Sequence, residues 1–253
     1  MTLYPVSLFM RMSAALLGRL STPRLESLLH GLIAGRAGRM PADEALRFLF
    51  RIEAGMYELE GCKAVEYGGG IHTKHRHTRY HDFFVDSVKA GERVLDIGCG
   101  NGALTYDVAE RAGAFVVGID KNPENISLAR ARHPHPRIEY MVGDARGPLP
   151  GSPFDAVVLS NVLEHLAGRV DFLRDVIRTA RPSRLLIRVP MFNRDWRAPL
   201  KRELGVEWRL DPTHETEYTP ESFKEELSEA GLKVVRSEIA WGEIWAEAAP
   251  DVT

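Results

Sequence analysis

Between residues 90 and 190 the apolar positions change rhythm repeatedly. Short β-rich runs at 92–98, 114–120, 137–142, 154–160 and 184–190 alternate with helical patterns at 102–112, 122–132 and 161–180. Short apolar runs bounded by turn residues suit buried strands, and the stretches between them are long enough to be crossover helices. The alternation predicts βαβ units, that is, a parallel sheet with helices on both faces. Residues 191–219 show no clear period, whereas 220–231 reads as a helix and 232–239 and 241–248 as two closing strands. A 29-residue irregular connection is unusual inside a compact domain, and such loops often serve as lids or binding loops. It is therefore expected to form part of a substrate site. Residues 1–70 read as a helical extension punctuated by Pro23, Pro41 and Gly68-Gly69-Gly70, and residues 71–253 as the ligand-binding domain, with 71–89 as its lid.

The most telling stretch is VLDIGCGNGA at 94–103, where a strand ends on Asp96 and then places Gly98, Gly100 and Gly102 at the turn into a helix. In open α/β sheets ligands bind beyond the carboxyl ends of the strands, and glycines there let the backbone approach a ligand closely. The next strand ends on another acid, Asp120 of GIDKNPEN, 24 positions later, which is well placed to take the two hydroxyls of a ribose. A third strand ends at Gly143-Asp144-Ala145, and FDAVVLSNVLEHL (154–166) follows.

In order and spacing these four segments resemble the motifs of class I S-adenosylmethionine-dependent methyltransferases. The resemblance implies a Rossmann-like sheet of seven strands, mostly parallel with the last antiparallel, capped here by the N-terminal helices. It also implies that Asp96, Gly98, Cys99 and Gly100 flank the methionine part of the cofactor. Asp120 and Lys121 would sit at the ribose, Asp144 and Ala145 at the adenine, and Asn161 with Leu163 on the floor. A dinucleotide is disfavoured: the turn reads G-C-G-N-G rather than G-x-G-x-x-G. An acid in front of it suits a cationic sulfonium better than a pyrophosphate, which wants bare N–H groups at a positive helix end.

Methyl transfer from a sulfonium is an in-line displacement, so the protein must position a nucleophile and, for a hydroxyl, help remove its proton. Asn161, Glu164 and His165 are spaced i, i+3 and i+4, which would put them on one helix face. Together with His214 in DPTHETEYTPESF (211–223) they partially resemble metal-dependent 2′-O-methyltransferases of small RNAs. In those enzymes a Glu-x-x-Glu-His helix and a later histidine hold a divalent ion. Glu164, His165 and His214 match three of these positions, and Asn161 stands where the family has its first glutamate. One carboxylate and two imidazoles would suit Zn²⁺, Mn²⁺ or Fe²⁺ better than Mg²⁺. Without a metal, His214 or His165 is the candidate general base, and both histidines could instead be structural.

For the acceptor, GIHTKHRHTRYHDFF (70–84) gathers four of the chain's nine histidines together with Lys74, Arg76 and Arg79. Such a cluster can grip a phosphate or carboxylate through charge-assisted hydrogen bonds; a solvated helix start is the plainer reading. His72, Lys74, His75, Arg76, Arg79 and Tyr80, with Arg194, Trp196 and Tyr218 from the long loop, are the expected acceptor contacts. From 203 to 231, nine acids face two bases, which disfavours a long polyanion. A hydroxyl of a sugar, glycan or other small polar acceptor, phosphorylated or lipid-linked, therefore ranks above RNA ribose. Catalytically inactive cofactor binding in a regulatory subunit is the third reading. A loose resemblance to methyltransferases of bacterial surface-polysaccharide assembly points to a glycan.

Composition adds only bounds. The formal charge is −2 in 253 residues, so no global attraction to nucleic acid is expected. Two cysteines, one inside the glycine turn, do not make a disulfide framework and suit a reducing cytoplasm. Residues 1–40 hold five arginines against one acid, Glu26, so a cationic amphipathic helix over 3–20 resting on a membrane surface is an expectation of its own.

Overall fold

The computed structural model describes residue 15 and residues 17–151 and 153–251. The expected membrane-facing helix at 3–20 thus lies largely outside the described residues. No described helix is long and apolar enough to cross a membrane. The chain forms two compact units, one comprising the residues up to Cys62 with Glu203–Val206, the other Lys63–Arg202 with Glu207 onward. α1 (Thr22–Ala37), with Pro23 in its first turn, lies in the first unit, and α2 (Ala42–Tyr67) begins there just after Pro41; a missing N–H at a helix start costs nothing.

The second unit contains a seven-stranded sheet in the order β3-β2-β1-β4-β5-β7-β6. Its strands are β1 (Arg93–Ile97), β2 (Phe115–Asp120), β3 (Ile138–Val142), β4 (Ala156–Ser160), β5 (Arg184–Pro190), β6 (Leu232–Ala240) and β7 (Glu243–Pro250). The first five are parallel, and β7 runs antiparallel to β5 and β6. The helices are α3 (Lys74–Thr78), α4 (Tyr80–Asp86), α5 (Ala103–Arg111), α6 (Pro123–Arg132), α7 (Arg169–Ala180), α8 (Arg197–Glu203) and α9 (Pro220–Glu229).

Alternation within the strands builds two cores. Leu95, Ile97, Val157, Leu159, Leu185 and Ile187 face one layer with Phe172 and Leu173 of α7 and Phe223 of α9. Val94, Ala156, Val158 and Leu186, one position out of step, face the other with Phe84 of α4 and Val108 of α5. Side chains of a strand alternate between faces, so a run apolar at every position has to be covered on both. Strand order reverses between β1 and β4, the place where an open α/β sheet leaves a crevice for a ligand.

Three expectations need correction. The helix expected at 161–180 begins only at Arg169. The chain leaves β4 through Asn161 at φ 57°, makes a 3₁₀ turn at Leu163–His165 and enters α7 from Gly168 at φ 64°. Asn161, Glu164 and His165 therefore do not share an α-helical face. The connection 191–219 is not wholly irregular. It carries α8, whose first N–H groups at Arg197 and Ala198 donate to Asp195 Oδ1. Its ends are tied together where Phe192 N donates to Tyr218 O and Tyr218 N to Pro190 O. The last strand starts at Glu243, because Trp241 and Gly242, at φ 56° and 76°, form the two-residue hairpin turn.

Candidate active site

The crevice at the switch point is a cavity of about 660 Å³, a size common for small-molecule sites. Asp96, Gly98, Cys99, Gly100 and Ser160 form its wall on the sheet side. Asp96 is 3% exposed, and one of its oxygens accepts Thr105 Oγ at 2.6 Å; burial pushes its carboxyl up to about 6. Gly98 has φ 75°, and a Cβ there would stand 2.8 Å from Val162 Cγ2. Gly100 has φ 55° with open space where a Cβ would project, so its bare backbone adjoins the cavity. A buried carboxylate with spare acceptor capacity beside bare backbone fits the cationic amino-acid end of a sulfonium nucleoside. Cys99 packs against Gly118, and burial raises its thiol far above the usual range.

Asp120, at the end of β2, braces this turn. Oδ2 accepts Gly100 N at 2.9 Å, while Oδ1 accepts Asn122 N and Asn125 Nδ2. Of the residues expected at the cofactor, Asp96, Gly98, Cys99 and Gly100 line the cavity, whereas Asp120, Lys121, Asp144, Ala145 and Asn161 are not in its lining. Lys121 and Asp144 are exposed, and Asp144 Oδ1 accepts Arg146 N. Ala145 belongs to a second cavity of about 500 Å³ against α7. Asn161 is half-buried, and its Oδ1 has no partner.

Beyond β4 and β5, Glu164, His165 and His214 come together, each offering a ligand atom within 4.8 Å of the others. The two histidine rings meet edge to face at 4.7 Å between centroids. Glu164 is fully buried with both carboxylate oxygens unpartnered, and burial pushes its carboxyl up to about 7. Its carbonyl oxygen accepts Glu215 N at 2.7 Å, which fixes the turn against the segment bearing His214.

Hydrogen bonding sets the tautomer of each imidazole. His214 Nδ1 lies 3.0 Å from Oε1 of Glu217, a carboxylate that can only accept, so Nδ1 carries a proton, and in the neutral ring Nε2 keeps its lone pair. Thr213 Oγ donates its one proton to Asp211 Oδ1 at 2.7 Å and so receives from His165 Nδ1 at 3.0 Å, leaving His165 Nε2 likewise free. Carboxylate-oriented imidazoles beside an unpartnered carboxylate are the usual surroundings of a metal-ligating set. The donor set thus fits the divalent ion that the resemblance implies.

The expected acceptor contacts divide. His72, His75, Arg79 and Tyr80 line the main cavity. Burial pushes the His75 imidazole down to about 4, so it is neutral near pH 7. Tyr80 lies under the Arg188 guanidinium, 3.7 Å from the ring centroid. Lys74 and Arg76 are exposed and absent from the lining, with Arg76 over the Tyr67 ring. Arg79 is paired with Asp82 at 2.6 Å. Of the expected basic residues of this segment, Arg79 alone borders the cavity, beside the histidines and Tyr80. Arg194 is a structural clamp: it donates to Glu217, to Met191 O and to Trp208 O. Tyr218 is a core residue, 2% exposed, with its hydroxyl donating to Glu226 Oε1 at 2.5 Å. Trp196 is 69% exposed and absent from the lining.

Sequence reasoning missed Arg188, Glu217 and His81. Arg188 lies within β5, two residues before its end, paired with Glu243 through two bonds of 2.6 Å. Glu217 had a signal, its i+3 spacing from His214; Arg188 read simply as the tail of an apolar strand. His81 lay within the noted histidine cluster without a partner to single it out.

Comparison with known proteins agrees with this geometry. Residues 95–187 match the family described as a methyltransferase domain, in line with the resemblance of the sequence motifs to class I S-adenosylmethionine-dependent methyltransferases. It is similar to the ubiquinone biosynthesis O-methyltransferase of Rhizobium johnstonii, 35% identical over 57% of this chain and 61% of that protein. A probable S-adenosylmethionine-dependent methyltransferase of Mycolicibacterium smegmatis is also 35% identical, over 57% of this chain and 53% of its own length. The chain thus spans about three fifths of the first relative. In fold it is similar to a putative methyltransferase solved in complex with the Haloferax volcanii Trm112 activator. That match has a TM-score of 0.59 at 19% identity, covering 72% of this chain and 93% of the other.

Proposed function

We propose that this protein moves a methyl group from S-adenosylmethionine to a hydroxyl of a small polar acceptor, with a sugar or glycan, phosphorylated or lipid-linked, as the favoured class. The single observation that carries this reading is the pairing of two sites at one sheet edge. Asp96 and the glycine turn offer a cavity for a cationic nucleoside, while Glu164, His165 and His214 offer acceptors for a hydroxyl proton. Arg188 links them: it covers Tyr80, donates to Ser160 Oγ and lies close enough to Glu164 to act on its charge. The names of the curated relatives support oxygen as the methylated atom.

In place of accepting the proton themselves, Glu164, His165 and His214 would, where a divalent ion is bound, hold it through one carboxylate oxygen and two Nε2 atoms. When bound, that ion would lower the pKa of the acceptor hydroxyl and orient it. The chain's own groups hold the imidazoles in place: Glu217 orients His214, and Thr213, leaning on Asp211, orients His165. Asp120, Lys121, Asp144 and Ala145 retain their proposed place along the ribose and adenine of the cofactor, and Asn161 its place on the floor, outside the lining of the main cavity.

The test is transfer of labelled methyl from S-adenosylmethionine to a panel of hydroxylated acceptors, alongside elemental analysis of protein purified without chelator. Transfer to a sugar, glycan or lipid-linked hydroxyl, lost in His214→Ala, supports the reading. Salt-dependent transfer to an RNA 3′ end would favour the nucleic-acid alternative. Cofactor binding without transfer to any acceptor would point to the regulatory one.

A further inference from the structure

α1 and the part of α2 up to Cys62 each carry an apolar stripe that is open among the described residues. On α1 it consists of Leu25, Leu28, Leu29, Leu32 and Ile33, the i, i+3, i+4, i+7, i+8 pattern of one helix face. No residue of α1 is buried, and Leu32 is 61% exposed. On α2 the stripe runs through Ala45, Leu49, Ile52, Met56 and Leu59, in alternating steps of four and three residues, and the last four of these are exposed. That alternation is the repeat of helices that complete their apolar face with a second helix. Within its own unit α2 uses a different side: Phe50 is buried, and Arg47 Nε donates to Leu204 O at 3.0 Å.

Helices gain most of their stability by packing an apolar face, so two open stripes mark a surface that something covers. The charges beside the stripes say what fits. Around α1, Arg19, Arg24, Arg36 and Arg39 are set against a single acid, Glu26, and none of the four arginines has an ion-pair partner among the described residues. Between Ala42 and Cys62, α2 carries Asp43, Glu44, Glu53, Glu58 and Glu60 against Arg47 and Arg51, and Arg47 is already held by Asp43. One helix is therefore net cationic and the other net anionic. The Gly38–Pro41 link is short enough to fold the two into a hairpin, yet both stripes stay open. An anionic lipid surface would attract α1 but repel the acids of α2. A second pair of the same helices satisfies both, with apolar stripe on apolar stripe and opposite charge beside opposite charge.

We infer that two copies of this chain associate through these helices, α1 of each copy lying along α2 of the other in a four-helix bundle about a two-fold axis. The pairing is reciprocal, so each copy supplies one cationic and one anionic helix to the same interface. The inference is independent of the cofactor and acceptor proposed above.

The experiment is sedimentation velocity of the full chain from about 1 to 100 μM, on wild type and on three variants altered only at exposed positions. Far-ultraviolet circular dichroism confirms the fold of each. Wild type should sediment with a mass twice 28.3 kDa. Each dimer would bury two copies of Leu32, so Leu32→Asp should raise the dimer Kd roughly 10²- to 10⁴-fold. Arg24→Glu with Arg36→Glu, and separately Glu44→Arg with Glu60→Arg, make the two helices of a copy alike in sign. Each pair should weaken the dimer roughly 10- to 100-fold. An equimolar mixture of the two charge variants should associate again, because each helix then meets one of opposite charge. A wild type that stays monomeric overturns the inference, as does a dimer that none of the variants weakens. Pelleting of monomeric wild type with phosphatidylglycerol vesicles, lost in Leu32→Asp, would assign the stripes to a membrane and overturn it too.

Discussion

Two carboxylates at the same sheet edge have been treated differently by the fold. Asp96 keeps a supporting partner, Thr105, and lines a cavity together with the glycine turn. Glu164 keeps none, and its neighbours are two imidazoles each oriented by a carboxylate or by a hydroxyl that leans on one. Leaving a buried carboxylate underbonded costs a protein stability, so its persistence marks a place built for something else. The contrast separates the two ends of the edge: the glycine turn supplies room and a carboxylate, whereas the second cluster supplies several convergent acceptor atoms.

The largest expected effect lies in the second cluster. His214→Ala should lower methyl transfer by roughly 10²- to 10⁴-fold, the range for a group that handles a proton in the transition state, with cofactor affinity unchanged. A drop in both would merge the two sites. Next comes the first carboxylate. The folded-state pKa of Asp96 is raised from 3.8 to about 6, so the protonated form is the stabilised one. Its favourable contribution is complete below pH 3.8 and is lost as pH rises through 6. In Asp96→Asn that penalty disappears, and stability at pH 8 should rise by up to about 3 kcal/mol while the two proteins converge near pH 4. The same variant should bind the cofactor far more weakly, which paired urea and binding titrations would show.

Glu217→Gln should loosen the orientation of His214. A 10- to 100-fold fall in affinity for a divalent ion, read by chelator competition, is the expected size for such a supporting group. The smallest effects belong to the residues that the fold removed from the site. Tyr218→Phe should cost about 1 kcal/mol of stability through the lost Glu226 bond and leave the turnover rate per folded molecule unchanged. Trp196→Ala should fall within about 0.5 kcal/mol of wild type in thermal unfolding.

The sheet was legible because it is a local matter. Runs such as VLDIG and AVVLS must be strands covered on both faces, and the glycines and acids closing them are adjacent in sequence. The second cluster was legible only as a set of residue types. Its geometry depends on Asn161 and Gly168 entering left-handed conformations, which interrupt what reads as one helix. In the loop after β5, Arg194 and Tyr218 read as acceptor contacts, since charge and aromaticity say nothing of Arg194's partners 14 and 23 residues away or of the bond from Tyr218 to Glu226. Asp107 escaped notice for the same reason: it reads as the polar face of α5 until α4 sets His81 against it.

The most direct test of the central claim is a crystal structure with S-adenosylhomocysteine bound. The expected result places the amino-acid end over Gly98–Gly100 beside Asp96, with the ribose toward Asp120 and the sulfur facing the side of Glu164 and His214. Binding in the separate cavity along α7, or a bound ligand that leaves Asp96 and the glycine turn untouched, would contradict it.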